Sequence, residues 1–147
     1  MISRNSIKTA IIIALQPLHV NDGGTVKDIG EYNPEVIEDI KKLLPRCPAV
    51  YVSYAGGTGA GENRNIKKDQ LFSVFVLYKS LRSTENSEKG AITLMEQVEA
   101  ILENNMLGLD IAPLSPAGDS FKDEAEGITM YALNYSTGQV YSKEYTV

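Results

Sequence analysis

The sequence of 147 residues contains very little cysteine and histidine. Its one cysteine is Cys47, so no disulfide can form within the chain. Its one histidine is His19, which excludes a four-ligand zinc site built from cysteine and histidine. A chain of this length buries roughly two thirds of its unfolded surface and does not need such cross-links. We therefore predict a single domain over residues 1–147.

Long apolar runs are also absent near the N-terminus, where a leader would lie. The run from Ala10 to Leu15 spans only six residues and is ended by Gln16 and Pro17. A membrane-spanning helix needs about 20 apolar residues, and no small-residue cleavage site follows as a secretory signal requires. We expect a soluble, cytoplasmic chain that has no membrane partner.

The chain also lacks a basic cluster. Lys and Arg number 14 against 19 Asp and Glu, a net charge of −5. Lys41-Lys42 and Lys67-Lys68 are only pairs. Because nucleic-acid binding usually needs a dense basic surface that displaces counterions, this balance argues against sequence-specific nucleic-acid recognition.

The most conspicuous pattern present is the glycine-rich stretch SYAGGTGAGEN at residues 53–63. A phosphate-binding loop has Lys and Ser or Thr directly after its last glycine. Here Gly56 and Gly61 have the right separation, but Glu62 and Asn63 follow. A carboxylate at that position would repel phosphate, so this nucleotide motif is excluded.

The dinucleotide-binding pattern fails in the same stretch. Gly57 and Gly59 would require a third glycine at position 62, which is Glu62. The residues that follow are typical of a strand, whereas both motifs must open a helix whose amides hold the phosphate. We predict that residues 55–66 form a flexible link between two strands and bind no cofactor.

The remaining candidates for chemistry are few. No serine or cysteine is placed by sequence to act with His19, and we predict that it is a surface or capping residue. Cys47 follows an arginine, which can lower a thiol pKa, but a semi-buried structural role at a strand entrance fits better. The acidic stretch lacks the spacing of a calcium loop; its members are Asp119, Asp123, Glu124 and Glu126. We predict no catalytic, cofactor-binding or metal-binding residue.

Apolar periodicity predicts an α+β fold. Helices are predicted over residues 7–18, 34–44 and 91–102, and strands over residues 25–32, 49–54, 70–78, 128–135 and 139–146. Residues 118–127 are predicted as an acidic loop, and residues 136–138 as the turn of a C-terminal β-hairpin extension at 136–147. Short links between strands favour a mostly antiparallel sheet of four to six strands, with two or three helices packed on one face.

Four tyrosines near the C-terminus are separated by even numbers of residues. In a regular strand, residues two apart share a face, so this row is predicted to lie on one face. It would either cover the core or form an interface, where tyrosine is enriched. Its members are Tyr131, Tyr135, Tyr141 and Tyr145.

Three segments in order carry a resemblance to a known family. They are RCPAVYVSYAGG at 46–57, LFSVFVLYKSLRS at 71–83 and GAITLMEQVEAIL at 90–102, followed by a late Pro-Leu strand. This order resembles the small tail protein of Mu-type phages and prophages, the gene product thirty-seven family, and is in turn similar to phage tail terminators. The resemblance covers roughly residues 7–135.

The resemblance implies a structural role without catalysis. Such proteins assemble as a ring, typically of six subunits, on the tail tube, where they stop tube growth and join the tail to the neck. The implied partners are copies of the chain itself, the tube, the sheath and neck proteins. The implied location is the host cytoplasm and then the virion tail. A head–tail connector or other virion adaptor, and a small ligand-binding module or enzyme, stay open as alternatives.

Residues of the glycine-rich stretch and the segment after it are the candidate contact surface. A closed ring needs one surface of each subunit to meet a different surface of the next, and glycine allows close approach of a neighbour. The candidate interface residues are Gly56, Gly57, Gly59, Gly61, Glu62, Arg64, Lys67 and Lys68.

Overall fold

The described residues form one five-stranded sheet with two α-helices on one face. In a computed structural model, which describes residues 1–32, 45–80, 84–125 and 127–146, the strand order is β1-β2-β3-β5-β4. The strands are β1 (Asp28–Glu31), β2 (Ala49–Glu62), β3 (Asn65–Lys79), β4 (Ser115–Ala125) and β5 (Ile128–Ser142), and the helices are α1 (Arg4–Ala14) and α2 (Thr84–Leu102). All strand pairs are antiparallel except β1 with β2. The predicted α+β class is confirmed; the helix predicted at 34–44 lies outside the described residues.

Helix α1 begins at a capped residue and buries one side. The Ser3 hydroxyl accepts a hydrogen bond from the Ser6 amide at 3.1 Å, which satisfies a free N–H of the first turn. Ile7 and Ile11 follow at helical spacing and are fully buried. The helix ends at Ala14, four residues before the predicted end at 18, and Pro17 lies in the 3-10 turn that follows.

Helix α2 is longer than its apolar pattern indicated. Its buried side contains Ala91, Leu94, Met95, Val98 and Leu102, whose spacing of three and four defines a single face. The polar residues before position 91 continue the same helix from residue 84. In the described part of the chain, no helix has the length and apolar character needed to cross a membrane.

Alternation along the strands divides the apolar residues between the two faces of the sheet. The larger cluster joins both helices to β2, β3 and β5, with Phe72, Val74 and Leu133 among its strand members. A smaller cluster on the opposite face includes Cys47 and Leu77. The helices therefore cover one face, as the sequence predicted.

Three segments predicted as loops or turns are strands. The glycine-rich residues extend β2 as far as Glu62, where a turn at Asn63 and Arg64 leads into β3, so they are not a flexible link. Paired residues on β3 hold the whole stretch extended, which outweighs the preference of isolated glycine for turns.

The other two corrections concern β4 and β5. The predicted acidic loop at 118–127 is largely strand β4; two register irregularities, between Pro116 and Asp119 and between Phe121 and Asp123, interrupt its alternation. The predicted turn at 136–138 lies inside the continuous strand β5. Gly138 pairs there with Asp69 of β3, so residues 136–142 form no separate hairpin.

Candidate assembly surface

The outer halves of β2 and β3 form a hairpin beyond the helix-covered part of the sheet. We call residues 56–71 the arm; residues 136–142 of β5 support it along β3. Strand β1 pairs with β2 only at Ala49–Val52. The edge of β2 from Gly56 to Glu62 therefore faces no other strand in the described parts of the chain. Most of the arm residues are exposed.

Two glycines at the base of the arm are required by the backbone. The register between β2 and β3 shifts between Tyr54 and Gly56, which leaves Ala55 as the extra residue of a bulge. Gly56 has a φ of 119°, a conformation that other residues rarely adopt. A Cβ atom on Gly57 would lie 2.5 Å from the carbonyl oxygen of Asp69, too close for an unshifted backbone.

The two outer glycines are not required in this way. A Cβ atom on Gly59 would lie 3.7 Å from the Lys67 carbonyl oxygen, and one on Gly61 would lie 3.8 Å from the Asn65 carbonyl oxygen. Both distances are ordinary van der Waals contacts, and neither glycine has a positive φ. The fold of the arm therefore does not require glycine at these two positions. The missing side chains leave the backbone of the outer strand exposed.

This difference predicts opposite results for two alanine substitutions. Gly57→Ala forces β2 and β3 apart and should lower the free energy of unfolding by about 1–3 kcal/mol, the usual cost of overpacking. Gly59→Ala should leave the free energy of unfolding unchanged or raise it by about 0.4–1 kcal/mol, because alanine restricts the unfolded chain. Urea unfolding of the two purified variants checks this, and equal destabilisation by both would contradict the role assigned to Gly57.

The charged candidates lie together near the end of the arm. Arg64 and Glu144 form an ion pair at 3.4 Å, with side chains 57% and 84% exposed, a weak surface pair that a competing partner can replace. Lys68 Nζ lies 5.8 Å from the ring centre of Tyr141, and Lys67 is exposed. The structure thus places all eight predicted interface residues on the arm. They are Gly56, Gly57, Gly59, Gly61, Glu62, Arg64, Lys67 and Lys68.

A second polar surface lies between α2 and β4, and no sequence pattern indicates it. We call it the acidic cleft: a cavity of about 100 Å³ with Glu99, Glu103, Asp119 and Tyr135 among its lining residues. Burial raises the pKa of Glu99, and the carboxylates of Glu103 and Asp119 raise it further. Tyr135 is 1% exposed, and its hydroxyl has no hydrogen-bond partner among the described residues.

Three members of the tyrosine row share the helix-covered face of β5. Tyr131 and Tyr135 pack with the larger core cluster, whereas Tyr141 lies beside the arm. Tyr145 lies beyond the strand and is 69% exposed. The shared face is as predicted for these three, although they occupy one strand and not a hairpin.

His19 and Cys47 occupy structural positions. The Nδ1 atom of His19 accepts a hydrogen bond from the Asn21 amide at 3.1 Å, which caps a 3-10 turn. Burial raises the pKa of the Cys47 thiol to about 11, although Lys79 and Lys27 act in the opposite direction. A thiol of this kind is a poor nucleophile at neutral pH. No group of acidic, cysteine and histidine residues within the described ranges could hold a metal ion.

Comparisons with known proteins agree with this architecture. The family described as "Bacteriophage Mu, Gp37" matches residues 1–140. A solved chain described as "Virion of native gene transfer agent (GTA) particle" is similar in fold, with a TM-score of 0.59 and 14% sequence identity. The alignment covers 90% of this chain and 92% of that chain. No curated protein matches the sequence significantly.

Proposed function

Because the chain belongs to the bacteriophage Mu Gp37 family, we propose that it is a structural component of a phage tail. In this proposal it is a tail terminator: copies close as a ring of six on the end of the tail tube, stop tube growth and join the tube to the neck. It assembles in the host cytoplasm, becomes part of the virion tail beside tube and sheath proteins, and catalyses no reaction.

The observation that supports this most strongly is the arm. An unpaired strand edge is a template for another strand, and soluble proteins usually shield such edges with charge, bulges or covering segments. Among the described residues, no strand pairs with the edge formed by the seven residues Gly56–Glu62, which is about 20 Å long. Their sequence, GGTGAGE, presents little side-chain bulk, so a neighbour can approach to backbone hydrogen-bonding distance.

The arm also has the asymmetry that a ring requires. The open edge of the arm belongs to β2, whereas β4 forms the edge on the other side of the sheet. A contact between an arm and a different surface of the next copy is heterologous, and such contacts form a ring when the rotation between neighbouring copies closes. The related fold in a gene transfer agent virion supports a place in a particle of this kind.

Deletion of the gene from the genome that encodes the chain tests this function. We expect tails of uncontrolled length, or tails unjoined to heads, in negatively stained lysates, and normal particles when the wild-type gene is supplied in trans. Tails of normal length that fail only to join heads would indicate a connector or other adaptor. Normal particles without the chain would overturn any essential structural role.

A further inference from the structure

The acidic cleft is lined by three carboxylates from two elements of the fold. Glu99 and Glu103 lie one helical turn apart on α2, and Asp119 of β4 completes the group. None of the three forms an ion pair with another described residue. Glu103 and Asp119 are exposed, and their charges add to burial in raising the pKa of the half-buried Glu99, so a positive group between the three carboxylates would be stabilised.

The buried hydroxyl of Tyr135 points to a ligand independently of the carboxylates. A polar group removed from water without a hydrogen-bond partner is costly, and such groups are rare in native proteins. The Tyr135 side chain is 1% exposed and lines the cleft with its hydroxyl unpartnered in the described structure. A donor that enters the cleft would pair with this oxygen and with a carboxylate together.

The donor set favours a side-chain cation and not a bound metal. No metal-binding group of three acidic, cysteine or histidine residues occurs in the described structure, so these carboxylates are not gathered around one point. A guanidinium group is planar and has five N–H donors in a fixed arrangement. It can bridge separated carboxylates and a phenol oxygen, which a compact ion cannot do.

The chain's own arm cannot supply this cation to its own cleft. Asn65, next to Arg64, pairs with Ser142, which lies seven residues along β5 from Tyr135. That separation is about 23 Å along a strand, beyond the reach of any side chain. The arm of a second copy is not limited by this distance. Arg64 lies in the turn at the tip of the exposed arm, and Lys67 and Lys68 follow on β3.

We propose that the acidic cleft of each subunit receives Arg64 from the arm of the next copy. The arm is then one half of the ring interface, and the cleft between α2 and β4 is the other half. Arg64 exchanges its exposed pair with Glu144 for Glu99, Glu103 and the Tyr135 hydroxyl. This inference depends on the proposed ring, but it makes a separate claim about which surfaces meet.

Charge exchange tests the pairing in assembling tails. Arg64→Glu and Glu103→Arg should each lower the yield of normal tails about a hundredfold, the effect expected when one member of a buried charge pair is reversed. The double variant should recover most of that loss. Lys27→Glu and Asp22→Arg make the same charge changes at exposed positions outside the arm and cleft, and should leave the yield normal. Failure of the double variant to recover would overturn the pairing.

Disulfide trapping gives a readout of contact that does not depend on function. A chain with Arg64→Cys and Glu103→Cys should form covalent oligomers when isolated tails are oxidised, and each single variant should not. The buried, poorly ionised Cys47 provides a low background. Tails that contain the chain yet give no cross-link would overturn the cleft contact and leave the terminator function standing. Normal tails in the gene deletion would instead overturn the terminator function.

Tyr135→Phe separates binding from folding. Removal of an unpartnered buried hydroxyl should leave the free energy of unfolding unchanged or higher. Subunit association should weaken about fivefold because the guanidinium loses an acceptor. A loss of stability without weaker association would assign the hydroxyl to the protomer's own fold and contradict its part in the contact.

Discussion

A chain with a shortened arm is expected to fold but not to terminate tails. Thr58 and Asp69 are direct partners on β2 and β3, so a two-residue Asn-Gly turn can join them in place of residues 59–68. The helix-covered core is untouched by this change. Loss of an interface centre costs about 4 kcal/mol or more, so subunit association should weaken at least about a thousandfold.

Circular dichroism and urea unfolding of the purified variant check that it folds, and electron microscopy of complemented lysates measures tail length. Truncation after Glu144 is the matched control, because it removes the exposed Tyr145 and Thr146 and keeps the arm together with its Arg64–Glu144 ion pair. Tails of normal length with the shortened arm would show that the arm is not the assembly surface.

Phe72→Ala is expected to have the largest effect on stability. Phe72 is fully buried, and its ring meets the Tyr54 ring at a centroid distance of 5.4 Å in an edge-to-face arrangement. Replacing a buried phenylalanine with alanine costs about 3–5 kcal/mol, a large part of a total stability of about 5–15 kcal/mol. Urea unfolding should show a fall of about 3–5 kcal/mol in the free energy of unfolding.

Phe121→Ala is the matched control for that substitution. Phe121 makes a similar edge-to-face contact with Tyr131, at 5.7 Å, but its side chain is 57% exposed. The free energy of unfolding should fall by only about 0.5–1 kcal/mol, close to the value of such a ring contact beyond its burial. Equal losses for Phe72→Ala and Phe121→Ala would mean that Phe72 does not anchor the core.

The fold could be predicted where burial determines the residue pattern. The central strand was identified at 70–78 because its apolar residues are buried from both sides, and α2 was identified from its apolar stripe. The prediction failed where pairing without burial determines structure. Residues 56–62 and 118–125 are strands because partners on β3 and β5 hold them extended, and a partner's register cannot be read from an exposed strand itself.

The candidate site divides in the same way. The glycines and charges of the arm are neighbours in sequence, so one stretch identified them together. The acidic cleft joins α2, β4 and β5 residues that are far apart in sequence. The sequence predicts a loop at Asp119, and nothing in it indicates that the Tyr135 hydroxyl is buried without a partner among the described residues. Only the register between β4 and β5 brings these groups together.

The uninterrupted pairing of β3 with β5 determines how the arm responds to force. Fifteen residue pairs connect the two strands from the arm to the far end of the sheet without a register shift. A pull on the arm along these strands therefore loads many hydrogen bonds in shear at once, and does not open them one at a time. Tension applied to the arm would therefore pass directly into the part of the sheet that the helices cover.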